Sequence, residues 1–101
     1  MSAQRDVLVV GAGIIGCAVA WELARRGASV EIVDDRPPGM GATQAAAGML
    51  APYCEVSHAG TLIDLLGHGL DVYDRFVSGV NAATGHHVPY KRTGKIGRAH
   101  V

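Results

Sequence analysis

The chain has 101 residues, of which 49% are hydrophobic and 18% are charged, with nine basic and nine acidic side chains. A formal net charge of zero argues against a nucleic acid or an anionic membrane as partner, since neither polyanion would gain much from this surface. Two cysteines, Cys17 and Cys54, make no disulfide framework and favour a reduced, cytoplasmic setting.

The first predicted elements form a β-α-β unit. Val7–Val10 is a run of valine and leucine typical of a strand covered on both faces in a parallel sheet. From Ile14 to Arg26 the apolar residues recur at spacings of three and four, which predicts a helix, and Gly27 is a natural helix stop. Val30–Val33 then reads as a second strand, so the crossover connects two parallel strands within about thirty residues.

The apolar run at the start has an alternative interpretation as a signal peptide or membrane anchor. A secretory signal has basic residues before its apolar segment and a small-residue cleavage site after it, whereas here Asp6 precedes the run and Glu22 and Arg25 follow it. Three glycines interrupt the run, which is also shorter than the roughly 18 residues of a membrane span. The sequence therefore favours a strand, a turn and a helix.

The stretch after the second strand is predicted to be a loop with one short helix. Pro37 and Pro38 cannot donate hydrogen bonds to a sheet, so they end the strand. Thr43 is predicted to cap a short helix from Gln44 to Ala47, which Gly48 interrupts.

A longer helix is predicted from about Thr61 to Val77, where leucine and aromatic residues form an amphipathic stripe. Gly67 and Gly69 weaken this prediction, because glycine is a poor helix former. Beyond Ser78 the periodicity is lost, so the sequence predicts irregular structure there.

The segment GAGIIG carries the pattern of a dinucleotide-binding turn. Gly11 permits a sharp strand-to-helix turn, Gly13 lets the backbone approach a pyrophosphate, and Gly16 brings helix and strand together. The helix starting near Ile14 would direct its free amide groups at the phosphate charge. Asp34, about twenty residues on, is placed to accept hydrogen bonds from an adenosine ribose. The structural alternative is that the glycines serve packing and that Asp34 is a solvated residue at the end of the strand.

A second loop of small residues, GMGATQAAAGMLAPY, follows directly after the predicted ribose-binding strand. Alanine and glycine side chains leave room for backbone contact with the rest of an extended dinucleotide, including a ribityl chain and a ring. A tightly packed turn with no ligand is the structural alternative. The first glycine motif alone leaves NAD and FAD both open, and this second loop favours FAD.

The combination of VVGAGIIG, VEIVDD and GATQAAAGML resembles the N-terminal FAD-binding region of the D-amino-acid oxidase family of flavoproteins. Within that family, AAAGMLAP is most similar to the glycine oxidase branch, which is associated with making the thiazole of thiamine. The likeness covers roughly residues 6–94 and implies an α/β fold. Residues 1–94 would form the N-terminal β-α-β part of a Rossmann-like FAD-binding domain, an incomplete doubly wound parallel sheet, and the substrate domain would be absent.

The resemblance assigns the residues around FAD as follows. The pyrophosphate would lie at Gly11, Gly13, Ile14, Ile15 and Gly16, the adenosine ribose at Asp34 with Asp35 beside it, the phosphate or ribityl side at Thr43, and the flavin ring at Ala47, Gly48 and Met49. Met49 would also face the substrate. Family members often have glutamate where this chain has Asp34, and many have a hydroxyl side chain where it has Ala42, so that last contact is not carried over.

The chemistry that the resemblance implies is oxidation of a small amino acid or amine to an imine, with hydride transfer to the flavin and formation of peroxide. The cation that holds the substrate carboxylate comes from a later part of the chain in this family, so no catalytic residue is named. The sequence leaves open the identity of the amine, oxygen or a quinone as acceptor, and homo-oligomerisation. The alternatives are an NAD(P)-binding dehydrogenase and a small nucleotide-binding module.

Several other signals are interpreted as ordinary surface features. The adjacent histidines His86 and His87 lack metal-ligand spacing, and no metal site is predicted. Four basic residues near the end of the chain are expected to be solvated: Lys91, Arg92, Lys95 and Arg98. Residues 95–101, KIGRAHV, read like one translation frame of a common sequencing adapter and are predicted to be a non-native tail. Two strands and two helices give little core, so weak folding and poor FAD affinity are expected.

Overall fold

The computed structural model describes residues 4–50 and 60–92. Its elements, in chain order, are β1 (Val7–Val10), α1 (Ile14–Arg25), β2 (Val30–Val33), α2 (Ala42–Ala45) and α3 (Thr61–Thr84). The chain divides into two compact units, Met1–Gly48 and Met49–Val101. Within the described ranges, no helix combines the length and the apolar character that crossing a membrane requires.

The first unit is built on a two-stranded parallel sheet. β1 pairs with β2 in a register that places Val7 opposite Val30 and Val10 opposite Val33. The strands and the helix between them begin and end within one residue of the predicted positions. The β-α-β prediction is therefore confirmed.

The end of α1 follows from a single glycine. Gly27 has a φ of +95°, a conformation that favours glycine. Its N–H donates to the carbonyl of Ala24 (3.0 Å), and the N–H of Ala28 donates to that of Leu23 (3.1 Å). This paired arrangement is a Schellman motif, which satisfies the last carbonyl groups of the helix and turns the chain into β2.

Among residues 4–50 and 60–92, one face of the sheet is covered and the other is exposed, which corrects the prediction that β1 is covered on both. The side chain of Val9 lies on the α1 side, where its Cγ1 approaches Gly16. The alternating residues Leu8 and Val10 are 57% and 80% exposed. Side chains alternate between the faces of a strand, and the single helix that packs on this sheet covers one of them.

The loop after β2 differs from its prediction in one detail. The short helix α2 begins after Gly41, which has a φ of +71°, and it ends at Ala45, three residues before Gly48. The expectation that Thr43 caps this helix is wrong. Its hydroxyl instead binds the backbone of another element, described below.

In the second unit, α3 has 24 residues and continues seven residues beyond the predicted end at Val77. The prediction of irregular structure after Ser78 is wrong as far as Thr84. Ala82 and Ala83 are strong helix formers, so the helix continues although its amphipathic stripe has ended. It stops at Gly85, whose φ is +72° and whose N–H donates to the carbonyl of Asn81 (3.0 Å).

The segment after α3 is tied back to that helix by Arg92. Its Nη2 donates to the carbonyl of Leu70 (3.0 Å) and lies 3.3 Å from the carboxylate of Asp74. The ring of Tyr90 contacts that of Tyr73, with 5.2 Å between centroids. Arg92 is therefore more than a solvated charge, which corrects that interpretation for this residue. Other predictions, on Cys54 and on residues 95–101 with their two basic side chains, lie outside the described residues.

Candidate functional site

The turn between β1 and α1 requires glycine at two positions. Gly11 has a φ of +106°, and its N–H donates to the carbonyl of Val33 at the end of β2 (2.8 Å). A Cβ on Gly16 would overlap the carbonyl oxygen of Gly11 and would lie 3.3 Å from Cγ1 of Val9. Any side chain larger than hydrogen at Gly16 would push α1 away from the strand.

Asp34 lies against this turn. Its Oδ2 accepts a hydrogen bond from the N–H of Ala12 (2.8 Å), and its Oδ1 accepts one from the N–H of Arg36 (2.9 Å). These two bonds, the one from Ala12 first, hold the pKa of the Asp34 carboxyl below its usual value of 3.8. Each carboxylate oxygen keeps a further lone pair, so the ionised group can still accept hydrogen bonds from a ligand.

The second loop reaches the same turn through Thr43. The hydroxyl oxygen of Thr43 accepts a hydrogen bond from the N–H of Ile14 (2.9 Å), the first residue of α1. A Cβ on Gly13 would lie 2.9 Å from that oxygen, which is closer than carbon and oxygen normally approach. Gly39 adds a backbone bond from its N–H to the carbonyl of Ala12 (2.8 Å). The two glycine-containing loops are therefore in direct contact.

The amino end of α1 has backbone N–H groups that can donate hydrogen bonds to a ligand. The first intrahelical bond runs from the N–H of Cys17 to the carbonyl of Gly13 (2.9 Å). Within residues 4–50 and 60–92, the N–H groups of Ile15 and Gly16 have no hydrogen-bond partner. Free amide groups at a helix amino end attract anions, and phosphate is the usual one.

The structure brings six of the predicted site residues into one place, namely Gly11, Gly13, Ile14, Gly16, Asp34 and Thr43. Ile14 and Ile15 stand on the first turn of α1 with side chains that are largely exposed. Ala47 and Gly48 are exposed after α2, with no hydrogen bond to the turn among the described residues, and Met49 belongs to the second unit.

Sequence reasoning missed two contributors to this site. Gly39 looked like a loop residue, although its N–H holds the second loop against Ala12. Arg36 was not singled out, and its guanidinium lies against Gly41, with Nη2 at 3.0 Å from the position of a Cβ there. Neither contact has a local signal, because each joins residues that meet only in the folded chain.

Comparison with known proteins identifies the family. Residues 6–100 match the family described as "DAO: FAD dependent oxidoreductase". The chain belongs to this FAD-dependent oxidoreductase family. FAD is accordingly the cofactor of the family, which decides against the NAD alternative. The glycine turn and the contact between the two loops fit the pyrophosphate of FAD, because backbone amides are uncovered there at the amino end of α1 among the described residues.

Individual members of the family show the same likeness. A glycine oxidase of Geobacillus kaustophilus is 43% identical over 65 residues, which are 64% of this chain and 17% of that protein. The "Bifunctional protein ThiO/ThiG" of a Nostoc species is 37% identical over 86 residues, 85% of this chain and 13% of that protein. The crystal structure of glycine oxidase from Geobacillus kaustophilus superimposes with a TM-score of 0.78 and 34% identity, over 83% of this chain and 23% of that one. The chain thus spans less than a quarter of each of these three proteins.

Proposed function

We propose that this chain is the N-terminal cofactor-binding part of an FAD-dependent oxidoreductase of glycine oxidase type. Its family membership and its likeness to glycine oxidases support this proposal. The observation that carries it is the bond between Thr43 and Ile14, which joins the two small-residue loops at the amino end of α1. The next amides of that helix end are uncovered among the described residues, and such amides can donate to a phosphate group.

In this proposal the chain holds FAD along one line of contacts. The pyrophosphate lies at Gly11, Gly13, Ile14, Ile15 and Gly16, where the N–H groups of Ile15 and Gly16 have no partner among the described residues and can donate to it. The carboxylate of Asp34, with Asp35 beside it, accepts hydrogen bonds from the adenosine ribose. The N–H groups of Ala12 and Arg36 favour the ionised form of Asp34 and so lower its pKa. The remaining contacts are Thr43 on the phosphate or ribityl side and Ala47, Gly48 and Met49 along the flavin ring.

The chemistry that FAD supplies when bound is acceptance of a hydride from a small amino acid or amine, which gives an imine and, with oxygen, peroxide. The chain's own residues bind and orient that cofactor, and Met49 faces the substrate. The group that holds the substrate carboxylate and the rest of the substrate site are assigned to the part of the protein beyond this chain. A reduced, cytoplasmic setting is part of the same proposal.

Titration of the chain with FAD tests the proposal, with flavin fluorescence as the readout. We expect saturable quenching with a dissociation constant above about 1 μM, since few side chains are buried and ordering the chain opposes binding. Asp34→Ala should weaken binding by about tenfold or more, because it removes an ionised acceptor. Asp71→Ala, which removes an exposed carboxylate in α3, is the control and should leave affinity unchanged.

Absence of quenching by the unaltered chain would contradict the proposal. Equal effects of Asp34→Ala and Asp71→Ala would also contradict it, because binding would then depend on net charge and not on the position of the carboxylate.

A further inference from the structure

Arg36 is fixed beside the glycine-rich turn at both its backbone and its side chain. Its N–H donates to Oδ1 of Asp34 (2.9 Å), which holds the backbone next to that carboxylate. Its guanidinium turns toward the second loop, where Nη2 would lie 3.0 Å from a Cβ on Gly41. Gly41 precedes α2, and Thr43 in that helix binds the amino end of α1. The guanidinium therefore lies against the residue that precedes α2, the short helix whose Thr43 contacts the turn.

Within residues 4–48, Arg36 is the cation that lies at the carboxyl ends of the strands. The other arginines in residues 4–48 are engaged elsewhere. Arg5 contacts Ser29 and Glu31 at the opposite ends of the strands. Arg25 and Arg26 pair with Glu22 in the last turns of α1, which is about 18 Å long for its 12 residues.

The positive charge of Arg36 is only weakly compensated. Among the described residues, its one ion pair within 4 Å is with Asp35 at 3.8 Å, whose side chain is 94% exposed, and it is attracted more weakly by the charge of Asp34. A pair so exposed and so long contributes little and is easily exchanged for another anion. A planar guanidinium with uncommitted donors is well suited to the oxygens of a phosphate group.

We propose that Arg36 is a cofactor-positioning residue whose guanidinium contacts the diphosphate of the bound nucleotide. The inference rests on the proposed FAD site and adds a cationic contact to the amide contacts of the turn. Gly41 is part of the same arrangement, because a Cβ there would come within 3.0 Å of Nη2, so that the guanidinium would have to shift, and the residue would be strained at a φ of +71°. Asp35 opposes the contact between Arg36 and the diphosphate, since its carboxylate competes with phosphate for Arg36.

The test compares two probes, ADP and adenosine, which share the base and the ribose and differ in the diphosphate. Each is titrated against the isotopically labelled chain by NMR, for the unaltered chain, Arg36→Gln and Arg36→Lys. We expect Arg36→Gln to weaken ADP binding about fivefold and to leave adenosine binding within about twofold. Arg36→Lys should retain most of the ADP affinity, and added salt should weaken ADP binding to the unaltered chain more than to Arg36→Gln.

Equal losses for ADP and adenosine would overturn the inference, because Arg36 would then only support the fold of the loop. An unchanged ADP affinity in Arg36→Gln would overturn it as well. If Arg36→Gln does not fold, Asp35→Asn decides, since it should raise the ratio of ADP to adenosine affinity by freeing Arg36. A ratio that stays the same or falls in Asp35→Asn contradicts the inference.

The two proposals fail in different ways. Failure of the FAD proposal is seen as absence of FAD binding by the unaltered chain and by Arg36→Gln alike. Failure of the Arg36 inference is seen as binding of FAD and ADP that does not depend on the charge at residue 36.

Discussion

Replacement of Gly16 by alanine is the substitution whose effect the structure defines best. In an ordinary helix, glycine to alanine stabilises by about 1 kcal/mol. At Gly16 the new methyl group would overlap the carbonyl oxygen of Gly11 and lie 3.1 Å from the carbonyl carbon. Forcing a methyl group into such a site costs about 3 kcal/mol, because a backbone atom cannot rotate away. The net loss should be about 2 kcal/mol, which lowers the ratio of folded to unfolded molecules by roughly thirtyfold.

Gly69→Ala is the matched control, because Gly69 also lies within a helix and a Cβ there meets nothing within 4 Å. Urea unfolding followed by far-ultraviolet circular dichroism should show α3 stabilised in Gly69→Ala and the first unit destabilised in Gly16→Ala. FAD affinity should fall only in Gly16→Ala. Equal gains in helicity for both variants, with FAD affinity retained, would refute the close approach of α1 and β1 as the reason for glycine.

Three further results are expected. Thr43→Val should lower FAD affinity about two- to tenfold, because it removes the acceptor of the Ile14 N–H, and Thr43→Ser should retain the affinity. Equal affinities of Thr43→Val and the unaltered chain, measured by fluorescence titration, would contradict the role of the hydroxyl. Because folding lowers the pKa of Asp34, its carboxylate contributes to the stability of the folded state fully above pH 3.8, and this contribution is lost as the pH falls through the pKa of the folded state. FAD affinity measured at decreasing pH should therefore show a loss that is absent in Asp34→Asn. Arg92→Gln should increase hydrogen exchange around Leu70 and after α3 without changing FAD affinity, and unchanged exchange would mean that Arg92 does not anchor the segment.

The β-α-β unit could be predicted because its signals are local. A valine-rich run, a helical spacing and Gly27 each act within a few residues, and the structure places them within one residue of the expected bounds. The end of α3 could not be predicted from its apolar stripe, because helix propensity alone extends it to Thr84 and the stop is set by Gly85.

The residues of the site could be predicted from the sequence, but the hydrogen bonds between them could not. The spacing of the glycines and the acid identified the turn, yet the sequence gives no sign that Asp34 binds the N–H of Ala12. Thr43 was expected to cap its own helix and instead binds the start of another. Both contacts join residues that are more than twenty positions apart, so only the folded chain reveals them.

The central claim is that two small-residue turns, joined through Thr43, hold one FAD molecule. The most direct measurement is an NMR titration of the labelled chain with FAD, in which each amide is followed separately. The account predicts that the amides of residues 11–16 and of residues 41–49 shift together, with one common dissociation constant. A response confined to one of these two segments, or two different constants, would contradict it.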